Sequence, residues 1–329
     1  MDRETLEKVK AQSGELKKAV SPEQRPRGMN PAGRPRLSIV IPSYNMAPQI
    51  GRCLAAVMAQ KTTASFEVIV VDSSDDGTDR VVSQGFRDVE LIHLPQRTGA
   101  AAARNIGIRR SQAPVVAFLD ADCIPDPDWV DEILKAHRGP LELVAGSVSP
   151  AAPHTLAGLM LFDIQFSEFL PRTHPRTVTF APSCNLSAKV EALHAVGLFP
   201  EEFSLSHDLD LCRRYAELRR GSILFQPAIR VSHINRVGLR GILDYLSLHG
   251  YYSAQLRRAY PLRGSFVTRW PVLIPLLVPL RYVGILWRLL RSSGEKWLVP
   301  VYLVSTSLVL LGLACWARGF MKCATSRDA

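Results

Sequence analysis

Four short apolar runs rich in Val and Ile limit most strongly how this 329-residue chain folds. Stretches with helical spacing separate these runs along the chain. Strands that alternate with helices predict an α/β fold, in which helices flank a mostly parallel sheet and binding sites lie at the carboxyl ends of the strands. The four runs are LSIVI (37–41), FEVIVV (66–71), VELIHL (89–94) and PVVAFLD (114–120).

Helices are predicted between these strands and after them. The segment DPDWVDEILKAH (126–137) predicts one helix, with Asp126 as its N-cap and Pro127 at its first helical position. The other predicted helices of this part of the chain cover 47–60, 78–85, 98–110 and 209–220.

The net charge of +10 is distributed unevenly. Residues 1–36 carry +4, residues 37–233 carry −4, and residues 234–329 carry +10. Because the basic charge lies beside the most apolar part of the chain, it suits an anionic membrane surface better than a nucleic-acid groove. We therefore expect no nucleic-acid partner. The 6 cysteines form no CxxC pair, which argues against a zinc ribbon.

The last third of the chain contains three apolar segments. Residues 239–260 predict an amphipathic helix that suits a membrane interface. Trp297–Ala317 has no charged residue and is long enough to span a bilayer. Trp270–Trp287 contains Arg281 and three prolines, so it predicts a broken span or a re-entrant element. Core helices of a soluble protein are the alternative for both long segments.

These patterns divide the chain into three parts. Residues 1–36 form a charged N-terminal segment and linker, with no apolar signal sequence. Residues 37–235 form the α/β domain, and residues 236–329 form the amphipathic and membrane-associating region.

Polar clusters follow the first two predicted strands. The first is Pro42-Ser43-Tyr44-Asn45, in which Tyr44 offers a ring for stacking, although an ordinary turn is the alternative. The second is Asp72–Thr78, whose three carboxylates suit the NH and OH donors of a nucleoside. Capping of the next helix by Asp75 or Asp76 is the alternative there, and both interpretations can hold together.

Acidic residues also follow the fourth strand and open a later helix. Asp120 and Asp122 suit a magnesium or manganese ion that also binds substrate phosphates, with a solvated acidic turn as the alternative. Asp208 suits a general base, or else the N-cap of the helix LDLCRRYAELRR. His233 stands alone and is by default a packed or surface imidazole.

The order and spacing of these clusters resemble the inverting family-2 glycosyltransferases of the GT-A fold. The resemblance covers residues 37–235. It is carried by IPSYN, VVDSSDDGT, GAAAARNIGI, FLDADCIPDPDW and SHDLDLCRRY.

The resemblance implies a nucleotide-sugar site at the strand ends. Tyr44 would lie against the base, Asp72 would bind the base edge, and Asp120 would contact the ribose. The implied nucleotide-sugar-binding residues are Pro42, Tyr44, Asn45, Asp72, Arg104, Asp120 and Ala121.

It also implies roles in metal binding and catalysis. Asp122 and His233 would hold a divalent cation, Mn or Mg, and Asp208 would deprotonate the acceptor hydroxyl. The implied residues of the junction between donor and acceptor are Ser183, Cys184, Asn185 and His207.

The chain departs from the family pattern at two places. His207 stands where the family commonly has an acid before the catalytic Asp, which affects the acceptor contacts or their pH dependence. The segment QLRRA (255–259) lacks the Trp of the Q-x-x-R-W element of processive synthases. The second departure favours transfer of a single sugar.

The resemblance therefore implies an inverting, metal-dependent hexosyltransferase that uses a nucleoside-diphosphate sugar, with UDP preferred. Membrane attachment favours a lipid-linked glycan, a glycolipid or another saccharide as acceptor, in cell-envelope or polysaccharide synthesis. The catalytic domain is expected on the cytoplasmic side of the cytoplasmic membrane, with possible partner membrane proteins of a glycan assembly pathway. The alternative is a catalytically inactive membrane scaffold or a sugar-nucleotide-binding module. A nicotinamide dehydrogenase is disfavoured because no GxGxxG follows the first strand.

Overall fold

A computed structural model describes residues 34–172, 174–202, 205–262 and 264–326. Most of the predicted N-terminal segment lies outside these residues. The first part of the described chain alternates strands with helices, as the apolar runs predict. Its elements are β1 (Leu37–Ser43), α1 (Ala47–Met58), β2 (Phe66–Asp72), α2 (Thr78–Gly85), β3 (Glu90–His93), α3 (Ala100–Arg110) and β4 (Val115–Leu119).

The second part is less regular and adds antiparallel strands. A single 3-10 turn, Ser167–Phe169, follows its second helix directly. The elements are β5 (Cys123–Pro125), α4 (Trp129–Ala136), β6 (Leu143–Ala151), α5 (Leu156–Phe166), β7 (Arg176–Val178), β8 (Asn185–Lys189), α6 (Val190–Ala195), α7 (His207–Arg219) and β9 (Ile223–Ile234).

These strands form one mixed sheet in the order β3-β2-β1-β4-β8-β6-β9-β5, and β7 pairs with β9. The pairs β1–β2, β2–β3 and β1–β4 are parallel, whereas β8 runs antiparallel to both β4 and β6. The Val and Ile side chains of the central strands are buried between helices on the two faces. The prediction of a mostly parallel sheet flanked by helices is therefore confirmed.

The prediction for the helix after β5 was wrong in its start. The helix begins at Trp129 with Asp128 before it, rather than at Pro127 with Asp126 as N-cap. The backbone N–H of Asp126 instead donates to the carbonyl of Arg230 at 3.0 Å. This bond ties Asp126 to the chain of β9, and that tertiary contact outweighs the local capping signal.

The C-terminal part is helical throughout. The predicted amphipathic helix at 239–260 is present, and a 3-10 segment, Pro271–Leu276, precedes the long helix that follows. The helices are α8 (Leu239–Ala259), α9 (Phe266–Arg269), α10 (Leu277–Leu290), α11 (Leu298–Val304) and α12 (Thr306–Thr325).

Two segments, Pro271–Leu290 and Thr306–Thr325, are long and apolar enough to cross a membrane, judged by length and composition alone. The apolar segment predicted over Trp297–Ala317 is helical from Leu298, with one non-helical residue, Ser305, between α11 and α12. The Ser305 hydroxyl donates to the carbonyl of Val301 at 2.8 Å, a local bond that competes with helix continuation.

Helices α8 and α12 pack against each other at very short range. A Cβ at Gly250 would lie 2.0 Å from the carbonyl oxygen of Trp316, and one at Gly319 would lie 1.7 Å from that of Ser247. Only glycine lets the two backbones approach this closely. Since α12 also contacts α5, the apolar core runs continuously from the sheet into the C-terminal helices.

Candidate functional site

Strand register brings three polar side chains together at one edge of the sheet. Ser43, the last residue of β1, pairs with Asp72 of β2, and Asp72 pairs with His93 of β3. Asp72 has no exposed surface. Its carboxylate accepts bonds from the backbone N–H of Ser74 at 3.2 Å, from the Ser74 hydroxyl and from Nδ1 of His93 at 2.8 Å. Protein donors therefore surround this carboxylate, and the His93 side chain, 41% exposed, faces the solvent side.

The turns after β1 and β2 are joined by hydrogen bonds. Asn45 has a positive φ of 54°, its N–H donates to the Ser74 hydroxyl at 2.8 Å, and its side-chain oxygen accepts from the N–H of Asp75 at 3.1 Å. The carboxylate of Asp76 accepts from the N–H groups of Ala47 and Thr78. Asn45 and Asp76 therefore shape the two turns. The N-cap of α2 is Gly77, so the predicted N-cap at Asp75 or Asp76 was wrong, although Asp76 accepts from the first helical N–H, that of Thr78.

Tyr44 presents an aromatic ring beside this edge. Its ring is half-buried, and the guanidinium carbon of Arg97 lies 4.7 Å from the ring centroid. Pro42 precedes the turn as the partner of Val71 in β2. One face of the Tyr44 ring is thus already used for a cation–π contact.

A buried arginine connects the acids after β4 to the start of α7. Arg104 of α3 donates to Asp120 Oδ1 at 2.5 Å and to Nε2 of His207 at 2.8 Å. Because a guanidinium can only donate, Nε2 of His207 is the acceptor in this pair. Asp120 keeps a third of its side chain exposed, whereas Ala121 beside it is buried. Asp120 therefore faces the cleft with Arg104 behind it.

Asp122 and His233 form a pair suited to a metal ion. Oδ2 of Asp122 lies 3.6 Å from Nε2 of His233, and β5 pairs with β9 to bring them together. The side-chain oxygen of Asn235 lies 3.1 Å from Nδ1 of His233, which places the proton on Nδ1 and leaves the Nε2 lone pair facing the carboxylate. Burial, and then the nearby Asp120, raise the pKa of Asp122, while His233 opposes this. Two facing acceptor groups with little protein compensation fit a divalent cation.

Sequence reasoning did not single out Cys123, which completes this cluster. Its sulfur lies within 4.8 Å of the Asp122 and His233 ligand atoms. Burial and a hydrogen bond with Cys184 raise the pKa of the Cys123 thiol well above its usual range, so it stays protonated. A neutral thiol is a poor ligand for a hard cation, and Cys123 therefore forms a wall of the cluster.

Asp208 lies in the first turn of α7, not at its N-cap, which is Ser206. Its carboxylate accepts from the N–H of Leu209 at 2.9 Å and, more weakly, from the N–H of Ser183 at 3.4 Å. Burial raises the pKa of Asp208, and the charge of Arg104 partly offsets this. A half-buried carboxylate with few donors and a raised pKa has the properties of a general base.

The predicted junction residues have different surroundings. Ser183 contacts Asp208 through its backbone, and the Cys184 thiol points to Cys123. Asn185 is buried, and its amide bonds to the carbonyls of Ser147 and Ile229 and to the indole of Trp129. The hydrogen bonds of the Asn185 amide therefore join β8 to its neighbours.

The structure thus brings the predicted residues to one edge of the sheet. Sequence reasoning missed His93, Arg97 and Cys123. Of these, His93 had a readable signal, because it ends the run VELIHL just as Asp72 ends the preceding strand. The other two depend on tertiary contacts.

Comparison with known proteins agrees with this geometry. Residues 38–194 match the family described as Glycosyl transferase family 2. The matched region is just under half of the chain. The matched region contains Asp72, Arg104, Asp120 and Asp122, while Asp208 and His233 lie beyond it.

Curated relatives are glycosyltransferases. The glycosyltransferase AglE of Haloferax volcanii is 31% identical over 186 residues, which cover 55% of this chain and 61% of the relative. The pre-mycofactocin glycosyltransferase of Mycobacterium tuberculosis is 29% identical over 238 residues, which cover 68% of this chain and 48% of the relative. The chain therefore spans about half to three fifths of the length of these relatives.

A solved structure shares the fold. The mannosyltransferase PcManGT from Pyrobaculum calidifontis, in complex with GDP-Man and Mn2+, matches with a TM-score of 0.57 and 18% identity. The match covers 97% of this chain and 95% of that protein, so it includes the C-terminal helices. The chain thus has the predicted GT-A type of fold.

Proposed function

We propose that this protein transfers a single sugar from a nucleoside-diphosphate sugar to an acceptor hydroxyl. The observation that carries the proposal is the double contact of Arg104 with Asp120 and His207. This buried guanidinium joins the acids at the end of β4 to the segment that holds Asp208. A donor site and a base in one cleft are what direct transfer between two bound molecules requires.

The donor is proposed to lie across the strand ends. Tyr44 supplies a stacking surface for the base, and the exposed His93, held in place by the buried Asp72, faces the base edge. Asp120 is placed to accept from the ribose hydroxyls. A UDP-sugar is the preferred donor in this proposal.

A divalent cation, Mn or Mg, is proposed at Asp122 and His233. These residues fit it because an acceptor lone pair of His233 faces a carboxylate whose pKa is raised by burial. A bound ion there would offset the negative charge of the leaving diphosphate. Asp122 and His233 hold their positions through β5–β9 pairing, independently of the donor.

The chemical step is proposed as one displacement. The acceptor oxygen attacks C1 of the sugar and loses its proton to a carboxylate oxygen of Asp208. The bond between C1 and the phosphate oxygen breaks, and the nucleoside diphosphate leaves with the electron pair. Attack from the opposite face inverts C1, so no covalent sugar–enzyme intermediate is needed.

The acceptor is proposed to be lipid-linked or otherwise held at a membrane. Two segments that can cross a membrane, and the basic charge of the last third of the chain, support this placement. We place the catalytic domain on the cytoplasmic side of the cytoplasmic membrane, where nucleotide sugars are made. A role in cell-envelope glycan or polysaccharide synthesis, with partner membrane proteins, follows from that location.

The test is a donor panel with the full chain in detergent. Each nucleotide sugar is incubated with Mn2+ or Mg2+ and then with a chelator, and release of nucleoside diphosphate is measured. We expect metal-dependent release from one donor, lost in Asp122→Ala and Asp208→Asn. Asp88→Asn, an exposed carboxylate in the loop before β3, is the matched control and keeps activity. Folded protein that binds and turns over no donor would instead indicate an inactive scaffold.

A further inference from the structure

Four arginines gather around a single carboxylate where the segment after α5, β7 and the end of α10 meet. Arg176 and Arg288 place their guanidinium nitrogens 3.9 and 3.8 Å from the two oxygens of Glu168. Arg176 also donates to the backbone carbonyl of Glu168 at 2.8 Å. One carboxylate is thus shared loosely by two arginines.

The other two arginines, Arg172 and Arg291, are brought to the same place by a backbone hydrogen bond between their segments. The N–H of Ser293 donates to the carbonyl of Pro171 at 3.0 Å, which holds the chain after α10 beside Arg172. The guanidinium carbon of Arg291 lies 4.8 Å from the ring centroid of Trp287. In the described part of the chain, neither Arg172 nor Arg291 has an acidic partner within ion-pair distance.

This arginine cluster (Arg172, Arg176, Arg288 and Arg291) carries four positive charges against the one negative charge of Glu168. Burial and the charges of the neighbouring arginines lower the pKa of Arg172, and burial lowers that of Arg176. The Nε atoms of both are buried and bond to no atom of the described chain. A cluster of this kind is completed by an anion with several acceptor oxygens.

Apolar side chains border the arginine cluster on one side. Trp287, which contacts Arg291, and Leu290, next to Arg291 in the chain, are 57% and 52% exposed. An indole ring beside a guanidinium group, next to an apolar helix face, matches the boundary between headgroups and acyl chains of a bilayer. The flanking surface therefore favours a lipid over a soluble anion.

The arginine cluster lies beside β7, at the opposite end of β9 from His233. β7 pairs with residues 223–225 of β9, whereas His233 lies at the other end of that strand. Phe225 and His233 pair with Ala145 and Pro150 of β6, five residues apart, because β9 bulges between Gln226 and Arg230. The two positions are therefore about 17 Å apart.

We propose that the arginine cluster binds the phosphate headgroup of an anionic bilayer phospholipid. The phosphate oxygens accept bonds from Arg172 and Arg291, and the acyl chains lie along Trp287 and Leu290. Bound in this way, the lipid fixes the end of α10 at the membrane surface. The assignment rests on the proposed membrane attachment, but it does not depend on sugar transfer.

The experiment titrates the full chain in a neutral detergent with phosphatidylglycerol that carries brominated acyl chains. Quenching of tryptophan fluorescence reports lipid bound beside Trp287, and brominated phosphatidylcholine is the neutral comparison. We expect saturable binding of phosphatidylglycerol at least tenfold tighter than that of phosphatidylcholine. Inorganic phosphate at the same concentrations should leave quenching unchanged, which separates a lipid site from a site for free phosphate.

The variant Arg172→Gln/Arg291→Gln removes two positive charges and breaks no ion pair. At about 5-fold per arginine, it should weaken phosphatidylglycerol binding about 25-fold. Arg80→Gln/Arg87→Gln removes the same charge from exposed positions in α2 and the loop after it, and should leave binding unchanged. Far-UV circular dichroism and the melting temperature check that both variants fold.

Three outcomes would overturn the proposal. They are equal affinity for the two lipids, full competition by inorganic phosphate, and equal loss of binding in the two double variants. Equal affinity with strong quenching would leave membrane attachment standing while removing the headgroup site. The donor panel described above is unaffected by any of these outcomes, so sugar transfer is judged separately.

Discussion

The carboxylates at the two ends of the cleft, Asp72 at one and Asp122 and Asp208 at the other, have opposite surroundings. Asp72 is fully buried, and three hydrogen bonds from Ser74 and His93 satisfy it. Asp122 and Asp208 are also withdrawn from water but have few donors, and burial raises the pKa of both. The protein itself supplies the hydrogen-bond partners of Asp72, whereas Asp122 and Asp208 are left to bind an ion, a substrate or a proton.

This difference in hydrogen bonding separates carboxylates with a structural role from carboxylates with a chemical role. A satisfied carboxylate fixes the shape of a surface and holds its charge state. A buried carboxylate with few hydrogen-bond donors gains partners when a ligand or an ion binds. This arrangement is expected of groups that take part in a reaction. The following predictions test whether the two ends respond differently to substitution.

The largest effect is expected at Asp208. Asp208→Asn removes the proposed base while keeping the side-chain size, and should lower the turnover rate about 1,000-fold. Donor binding should change little, because the base acts on the acceptor. The rate is measured by release of nucleoside diphosphate, with Asp88→Asn as control. A variant that retains a tenth of the rate would assign the base elsewhere.

The next effect is expected at the metal pair. Asp122→Asn removes the charged ligand and should lower activity about 100-fold or more. It should also abolish the rise in melting temperature that Mn2+ gives the wild-type protein. Differential scanning fluorimetry with and without Mn2+ measures this directly. Asp126→Asn, four residues along the chain, serves as the control and should still respond to the ion.

Arg104 connects the acids to α7, and its substitution should have an intermediate effect. Arg104→Lys keeps the charge but loses the fork that reaches Asp120 and His207 together, so activity should fall about 10- to 100-fold. Arg109→Lys on the same helix, whose ion pair with Glu201 is 4.0 Å long and exposed, is the control. Equal activity of the two variants would show that the double contact is unimportant.

Substitution at the Asp72 end of the cleft should have a weaker effect on activity. His93→Ala removes one of the three bonds to Asp72 at a partly exposed position, so the donor KM should rise about 5-fold with little change in kcat. His194→Ala, an exposed histidine in α6, is the control. A loss in kcat as large as that of Asp208→Asn would contradict the proposed difference between the two ends.

The smallest effect concerns stability and pH. Because the pKa of Asp208 is raised in the folded chain, its contribution to stability is complete below the unfolded pKa and is lost as pH rises through the folded pKa. Asp208→Asn should therefore melt at a slightly higher temperature than the wild type at neutral pH. The gap should close as pH approaches 3.8, the ordinary value for Asp. A gap that widens toward low pH would mean that the carboxylate is stabilised by its surroundings.

The fold and the positions of the main acids could be read from the sequence, for a physical reason. Buried parallel strands must be apolar, so the residues that end such runs must lie at one edge of the sheet. Asp72 and Asp120 follow directly from that rule. The predicted roles of the site residues remain predictions, since the structure shows where the side chains lie and not what they bind.

Other features depend on contacts between distant residues. Local capping preference predicted a helix start at Asp126, but a backbone hydrogen bond ties that residue to Arg230 of β9 and the helix begins at Trp129. Hydropathy predicted an apolar segment over 297–317 but gave no sign of the interruption at Ser305, whose hydroxyl bonds to the preceding turn. The contact of Arg97 with Tyr44 joins segments more than fifty residues apart, which no local pattern reveals.

The close crossing of α8 and α12 has a consequence for producing the protein. Because Gly250 and Gly319 bring these backbones together and α12 also covers part of α5, the catalytic half shares its interior with the helices that follow it. A chain cut after β9 would leave Met160 and Ile164 of α5 without their neighbours at Gly312. Such a fragment is expected to aggregate on expression, so purification should keep the C-terminal helices and a detergent from the start.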